Sequence, residues 1–294
     1  MHEYDKCGNY LIQHRGNSIL RMGGVTDIAR WAPRQAEPVQ HRKLPDGVLE
    51  VWSPGQAKPD IFILEIATDP DARVPSQAVD DTAVIYLERG ILPEVLVLFL
   101  REKGNVPAAD SIELISRRGF TKPNLSWKAI KLWEIPAEDL LAMDDVGLLP
   151  WVPLAKTTGS PEQLVRRCRS RLDKAAPLIG HPEYENLLVV TQFLLPLRYN
   201  QDKLLLDRLR ALLGGREVMI QSPLYQEIVA ESELKGATEA KREALLDFLV
   251  GRFGPAAEAL EVELKAVEFE RLRDLIKFAA KCRNLASFRK RLLS

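Results

Sequence analysis

What the chain has little of narrows its chemistry first. It carries no net charge, with 41 Lys and Arg against 41 Asp and Glu in 294 residues. No global field therefore draws it to nucleic acid, and any such contact has to come from local patches. Cysteine is scarce: Cys7, Cys168 and Cys282 lie far apart and lack metal-ligand spacing, the pattern of reduced thiols in a cytoplasmic protein. The four histidines show no ligand spacing either. No apolar run approaches the roughly 18 residues of a membrane span, and the first residues lack a basic-then-apolar signal pattern. The expectation is a cytoplasmic protein with no membrane partner. Gly-rich phosphate loops, nucleophile elbows and zinc motifs are missing, which argues against the chemistries they serve. Internal repeats and low-complexity segments are absent as well.

What is there is an ordinary globular mixture, 46% hydrophobic and 28% charged, long enough for one large domain or a core with a helical extension. Residues 4–22 read as a helix with Tyr10, Leu11, Ile19, Leu20 and Met22 apolar, weakened at Gly8 and Gly16 and stopped at Gly23-Gly24. Residues 32–43 are polar and hold Pro and Gln, an irregular approach or a short edge strand.

The stretch 44–102 organises the rest. Val48 to Trp52 alternates with period two, Ser53-Pro54-Gly55 is turn chemistry, and Ile61 to Ala67 is apolar except for Glu65. This predicts an antiparallel hairpin whose second strand is covered on both faces. Pro75-Ser76 opens a helix that Gly90 stops, with Ala78, Val79, Thr82, Ile85 and Tyr86 as its apolar face, and Glu94 to Arg101 is a further apolar strand. Strand, helix and strand at this spacing predict a crossover with a parallel pair. Residues 111–117 and 127–135 read as two more strands, Pro136 starts a short helix, and the Pro/Gly/Thr-rich segment 147–161 reads as a domain boundary. Beyond it the pattern is helical, opening with the cap Ser160-Pro161-Glu162-Gln163 and including a long helix from Ser222-Pro223 towards Phe253.

Two acids interrupt the strands: Asp46 at the mouth of the first and Glu65 inside the second, with 18 residues between them. A carboxylate in a sheet is costly without a partner, and a Mg²⁺ site built on one or two carboxylates plus waters supplies one. The bland alternative is a turn residue before Gly47 and a Glu paired with a basic side chain. Glu37 is either a third ligand or a loop charge, and Asp60 is a second choice for the first acid.

Pro45-Asp46, the hairpin, Glu65-Ile66-Ala67 and the helix and strand after them resemble the PD-(D/E)XK nuclease superfamily, and within it the Rpn-like, recombination-promoting (transposase-like) nuclease group. Tyr10-Leu11-Ile12-Gln13-His14-Arg15, Lys131-Leu132-Trp133-Glu134-Ile135, Gly147-Leu148-Leu149-Pro150 and Ser222-Pro223-Leu224-Tyr225-Gln226-Glu227-Ile228 resemble that group's other landmarks. The resemblance implies an α/β fold, with a restriction-endonuclease-like mixed sheet flanked by helices over residues 1–150 and an α-helical region over 151–294. It implies DNA as partner and Mg²⁺ or Mn²⁺ as cofactor, with Asp46 and Glu65 as catalytic metal ligands.

The chain departs from the pattern at Ala67, where the group carries Lys or Gln, and a methyl group can neither orient water nor steady charge. Either another residue substitutes (Gln77 first, Lys58 or Lys128 after it), or catalysis is lost and the fold serves as a nucleic-acid or protein interaction module. Two basic clusters are candidate phosphate contacts or solvated helix faces. One is Arg166, Arg167, Arg169, Arg171 and Lys174. The other lies between Arg271 and Arg291, eight basic residues against Asp274 alone, with Arg283, Arg289, Lys290 and Arg291 as its expected nucleic-acid contacts. The Leu245–Phe253 stripe, with Glu258–Leu264 after it, reads as a helical homodimer surface.

Overall fold

The computed structural model of the chain describes residues 3–34, 45–103, 106–116 and 121–293. The candidate ligand Glu37 lies outside them. The chain divides into two compact units, Met1–Tyr225 and Gln226–Ser294.

The first unit opens with α1 (Glu3–Met22), β1 (Arg30–Arg34), β2 (Gly47–Trp52), β3 (Asp60–Ala67), α2 (Arg73–Arg89) and β4 (Glu94–Phe99). It continues through β5 (Ser111–Glu113), β6 (Asn124–Ser126), β7 (Lys128–Lys131) and α3 (Ala137–Ala142). A helical layer follows: α4 (Pro161–Ile179), α5 (His181–Leu194), α6 (Pro196–Tyr199), α7 (Lys203–Leu212) and α8 (Gly215–Gln221). The main sheet has the order β1-β2-β3-β4-β7. Its first three strands pair antiparallel and its last three parallel, so the fold is α/β with a mixed sheet. The hairpin and the parallel crossover follow the sequence pattern. Residues 111–113 do not join this sheet; they pair with 124–126 in a separate two-stranded one. Residues 132–134 leave β7 as a 3₁₀ turn.

Period two sorts the strands between two faces. Val48, Ile61, Ile63, Val95, Val97 and Phe99 share a core with Ala78 and Ile85 of α2. The opposite face receives α1, whose glycines let backbone meet sheet: a Cβ on Gly16 would come 2.6 Å from Leu49 Cδ1. On β2, a Cβ on Gly47 would overlap Ile12 Cγ2. Helix α1 breaks its regular dihedrals at Arg15 (φ −140°, ψ 25°), one residue before Gly16.

The segment around residue 150, expected to separate domains, is buried instead. Its apolar residues Leu148, Leu149, Trp151, Val152 and Leu154 are at most 3% exposed, folded through 3₁₀ turns at Val146–Leu148 and Val152–Leu154. The helices after it belong to the first unit because they grip α1. Asn186 of α5 donates through Nδ2 to the Tyr10 hydroxyl at 2.9 Å, and its Oδ1 accepts from Ser222 Oγ at 2.7 Å and the Leu224 N–H at 3.1 Å. Glu183 accepts from Tyr10 and from Arg15 Nε. The division thus falls at Tyr225 and Gln226, inside α9 (Pro223–Phe253), rather than at 150.

The second unit holds the rest of α9, then α10 (Glu261–Lys265), α11 (Phe269–Lys281) and α12 (Leu285–Leu293). Leu245, Leu249, Leu260, Leu264, Leu272, Leu275, Phe288 and Leu292 form its core. Most of the stripe read as a dimer surface therefore packs within its own unit. Among the described residues no helix is long and apolar enough to cross a membrane.

Candidate functional site

Asp46 precedes Gly47, the first residue of β2, and Gly47 pairs with Leu64, one residue before Glu65. Gly47 faces α1, so alternation turns Asp46 towards the α2 side, where the odd-numbered residues of β3 also point. The two acids meet there. The Asp46 N–H donates to Glu65 Oε1 at 3.1 Å, and the Ile66 N–H donates to Asp46 Oδ2 at 2.9 Å. Each carboxylate is thus anchored by the other's strand.

Helix α2 closes the site from above. Gln77 Nε2 donates to Glu65 Oε2 at 2.7 Å. One turn later comes Asp81, only 2% exposed, with Oδ2 lacking any hydrogen-bond partner. Sequence reading missed Asp81. It took the buried face of α2 as apolar, whereas that face is Ala78, Asp81, Thr82 and Ile85. The signal was present in the spacing: Gln77 and Asp81 are i, i+4, and Ala78, Asp81, Thr82 and Ile85 fall on one helical stripe.

Glu65 is 7% exposed. Burial first, and then the charges of Asp46 and Asp81, push its carboxyl up to about 10. The protonated Glu65 carboxyl donates to Asp81, while burial raises Asp81 itself to about 6. Burial and the neighbouring acids thus favour the protonated form of Glu65, and a positive group beside it would favour the carboxylate. The donor set fits a small divalent ion: two adjacent carboxylates, with a buried carboxyl oxygen still unpaired nearby. Among the described residues, no three His, Cys, Asp or Glu are grouped to hold an ion unaided.

Ala67 ends β3 on the same face as Glu65 and packs against the α2-side core. Of the candidate substitutes, only Gln77 touches the acids. Lys58 is exposed in the β2–β3 turn, and Asp60 opens β3. Five residues at about 3.3 Å each put Asp60 roughly 16 Å from Glu65 along the strand. Lys128 opens β7, two strands away and exposed.

Much of the basic side-chain content has structural work. On α4, Arg167 pairs with Glu138, Arg169 with Asp173, and Arg171 donates to the Leu141 carbonyl and to Asp144 Oδ1. In the second unit Arg252 caps α11 through the carbonyls of Ala279 and Cys282, and Arg271 donates to the Leu292 carbonyl. Arg289 pairs with Glu263 at 2.7 Å. Arg283, Lys290 and Arg291 are exposed, and Arg273, Lys277 and Lys281 line α11 at i, i+4 and i+8. Comparison with family models, with curated proteins and with solved structures returned no match.

Proposed function

We propose that the chain is a divalent-metal-dependent DNA endonuclease of the recombination-promoting type, slowed by the methyl group at residue 67. The observation that carries the reading is the reciprocal bonding of Asp46 and Glu65 on one face of a mixed sheet. A divalent ion held there would polarise a scissile phosphate and lower the pKa of an attacking water. Asp46, an acceptor fixed by the Ile66 N–H, would supply one ligand oxygen. Glu65 would give up its proton to supply the other. Gln77 would hold the Glu65 carboxylate in register and offer an amide to the water. Loss of one positioned polar group costs on the order of 10²–10³ in rate, so Ala67 is compatible with slow cleavage. Exposed Arg283, Lys290 and Arg291 would hold backbone phosphates without reading sequence, and Arg289, paired with Glu263, would contribute less.

The test is cleavage of supercoiled plasmid with Mg²⁺ or Mn²⁺. Wild type should nick DNA slowly, and the Asp46→Ala plus Glu65→Ala variant should not. Equal activity in the two, or none in either, removes the catalytic reading. The second reading, favoured by Ala67, is a degenerate nuclease fold that binds nucleic acid or protein without cutting. It is supported if wild type retains DNA in gel shifts yet leaves the plasmid intact with both metals.

A further inference from the structure

A second site lies apart from the acids. A cavity of about 590 Å³ opens between α1, the turn after α3, and α4. That is within the usual size of small-molecule pockets, which combine apolar lining with a few placed polar groups. Four cationic side chains line it, Arg15 and Arg21 from α1 and Arg171 and Lys174 from α4, against two acids, Asp144 and Asp145.

The two acids line the cavity with the cations, but their places differ. Asp145 is saturated: its Oδ1 accepts from Ser18 Oγ at 2.8 Å and the Gly147 N–H at 2.9 Å, and its Oδ2 accepts from Arg21 at 3.1 Å. Asp144 sits at φ 50°, in the left-handed region that a non-glycine residue seldom occupies, and its side chain is 95% exposed at the rim. Of the cations, Arg15 is paired with Glu183 and Arg21 with Asp145, and the two from α4 are less committed. Arg171 reaches Asp144 only at 3.4 Å, and its firmer bond is to the neutral Leu141 carbonyl. Lys174 makes no ion pair among the described residues, and it follows Arg171 by three positions on the same helical face. One turn beyond, Leu178 stands 89% exposed at the cavity, and with Leu149 and Ile179 it gives an apolar wall beside the charged one.

The geometry points to a binding site for a small phosphate monoester carrying an uncharged, apolar body. The phosphate lies on Lys174 and Arg171, and the body lies against Leu178 and Leu149. The site is independent of the nuclease reading, because it uses none of the acid-site residues.

Isothermal titration of the full chain with phenyl phosphate and with inorganic phosphate tests it. Phenyl phosphate should bind saturably and at least tenfold more tightly than inorganic phosphate. Lys174→Glu should weaken both by about tenfold or more, as expected for a lost charge-assisted bond. Leu178→Ser should bring phenyl phosphate down towards inorganic phosphate and leave the latter unchanged. Both positions are exposed, so thermal melts of the variants should match wild type. Asp46→Ala plus Glu65→Ala should leave the titration as it was. The assignment is overturned by an absence of saturable heat from phenyl phosphate, by equal affinities for the two probes, by unchanged binding in Lys174→Glu, or by loss of binding in the acid-site variant.

Discussion

Asp46 and Glu65 hold each other's strands: the Asp46 N–H donates to a Glu65 oxygen at 3.1 Å, while the N–H following Glu65 donates to Asp46 at 2.9 Å. Two carboxyl groups are thereby fixed side by side beneath α2, Asp46 half-buried and Glu65 buried at 7% exposure, where little water reaches Glu65 to disperse a charge. A structure that holds such an arrangement gives up stability at that point unless a proton or a cation relieves it.

The proton makes this measurable. Glu65 rises from its ordinary 4.5 to about 10, so the folded chain keeps a proton that the unfolded chain releases above about pH 5. Because the folded state binds more protons in that window, stability falls as pH climbs from about 5 towards 10. Asp81, raised to about 6, adds a smaller fall between about 4 and 6. Urea midpoints in metal-free buffer should drop from pH 5 to pH 9. Glu65→Gln, neutral throughout, should flatten most of that slope. The same slope in both proteins would mean that Glu65 is ionised in the fold.

Residue 67 is the second lever. Its side chain shares the α2 face with Glu65, so a Lys there has its ammonium within reach of the acids. Ala67→Lys should raise plasmid cleavage about 10²-fold, the size of one positioned charge-stabilising group, and should draw the Glu65 carboxyl down. Gln77→Ala should lower cleavage and leave the overall fold intact. No gain from Ala67→Lys would argue that something other than this methyl group limits the rate.

Gly47 joins stability to the site. A Cβ there would overlap Ile12 on α1, and overpacking of this kind costs about 1–3 kcal/mol. Gly47→Ala should lower the urea midpoint accordingly and, by shifting the residue next to Asp46, reduce metal affinity as well. Ile12→Ala in the same chain should recover part of both losses.

How far the sequence carried the fold depended on periodicity. Val48 to Trp52 and Ile61 to Ala67 declared their hairpin through alternation and the Ser53-Pro54-Gly55 turn, and the helix from residue 75 to Gly90 declared the crossover. Residues 111–117 and 127–135 read as strands without a stated partner, and strands form at Ser111–Glu113 and Lys128–Lys131; that the first pairs in a separate small sheet is not legible, because three residues at the surface carry too little pattern to reveal their partner. The segment 147–161 looked like a linker by its Pro, Gly and Thr content, yet Trp151 and Leu154 are buried. Composition reports turn-forming residues and is silent about what lies over them. At the site, Asp46, Glu65 and Gln77 were legible because acids in apolar strands, and a polar residue early on the next helix, stand out locally. Asp81 carried a weaker signal, its spacing from Gln77 and its place on the Ala78–Ile85 stripe, against which a charged helix residue reads as solvated until the packing above the sheet is known. Nor did sequence reveal that Arg252 and Arg271 are spent on carbonyl groups of their own unit, which a charge count enters as surface.

The most direct measurement is calorimetric titration of Mn²⁺ into the purified chain at pH 8, beside Glu65→Gln and Asp46→Asn. One saturable Mn²⁺ site is expected in wild type, with release of close to one proton as Glu65 ionises and with binding lost or weakened by at least tenfold in either variant. Absence of saturable binding in wild type, or binding that both variants keep unchanged, would contradict the claim that these two acids were built to share an ion.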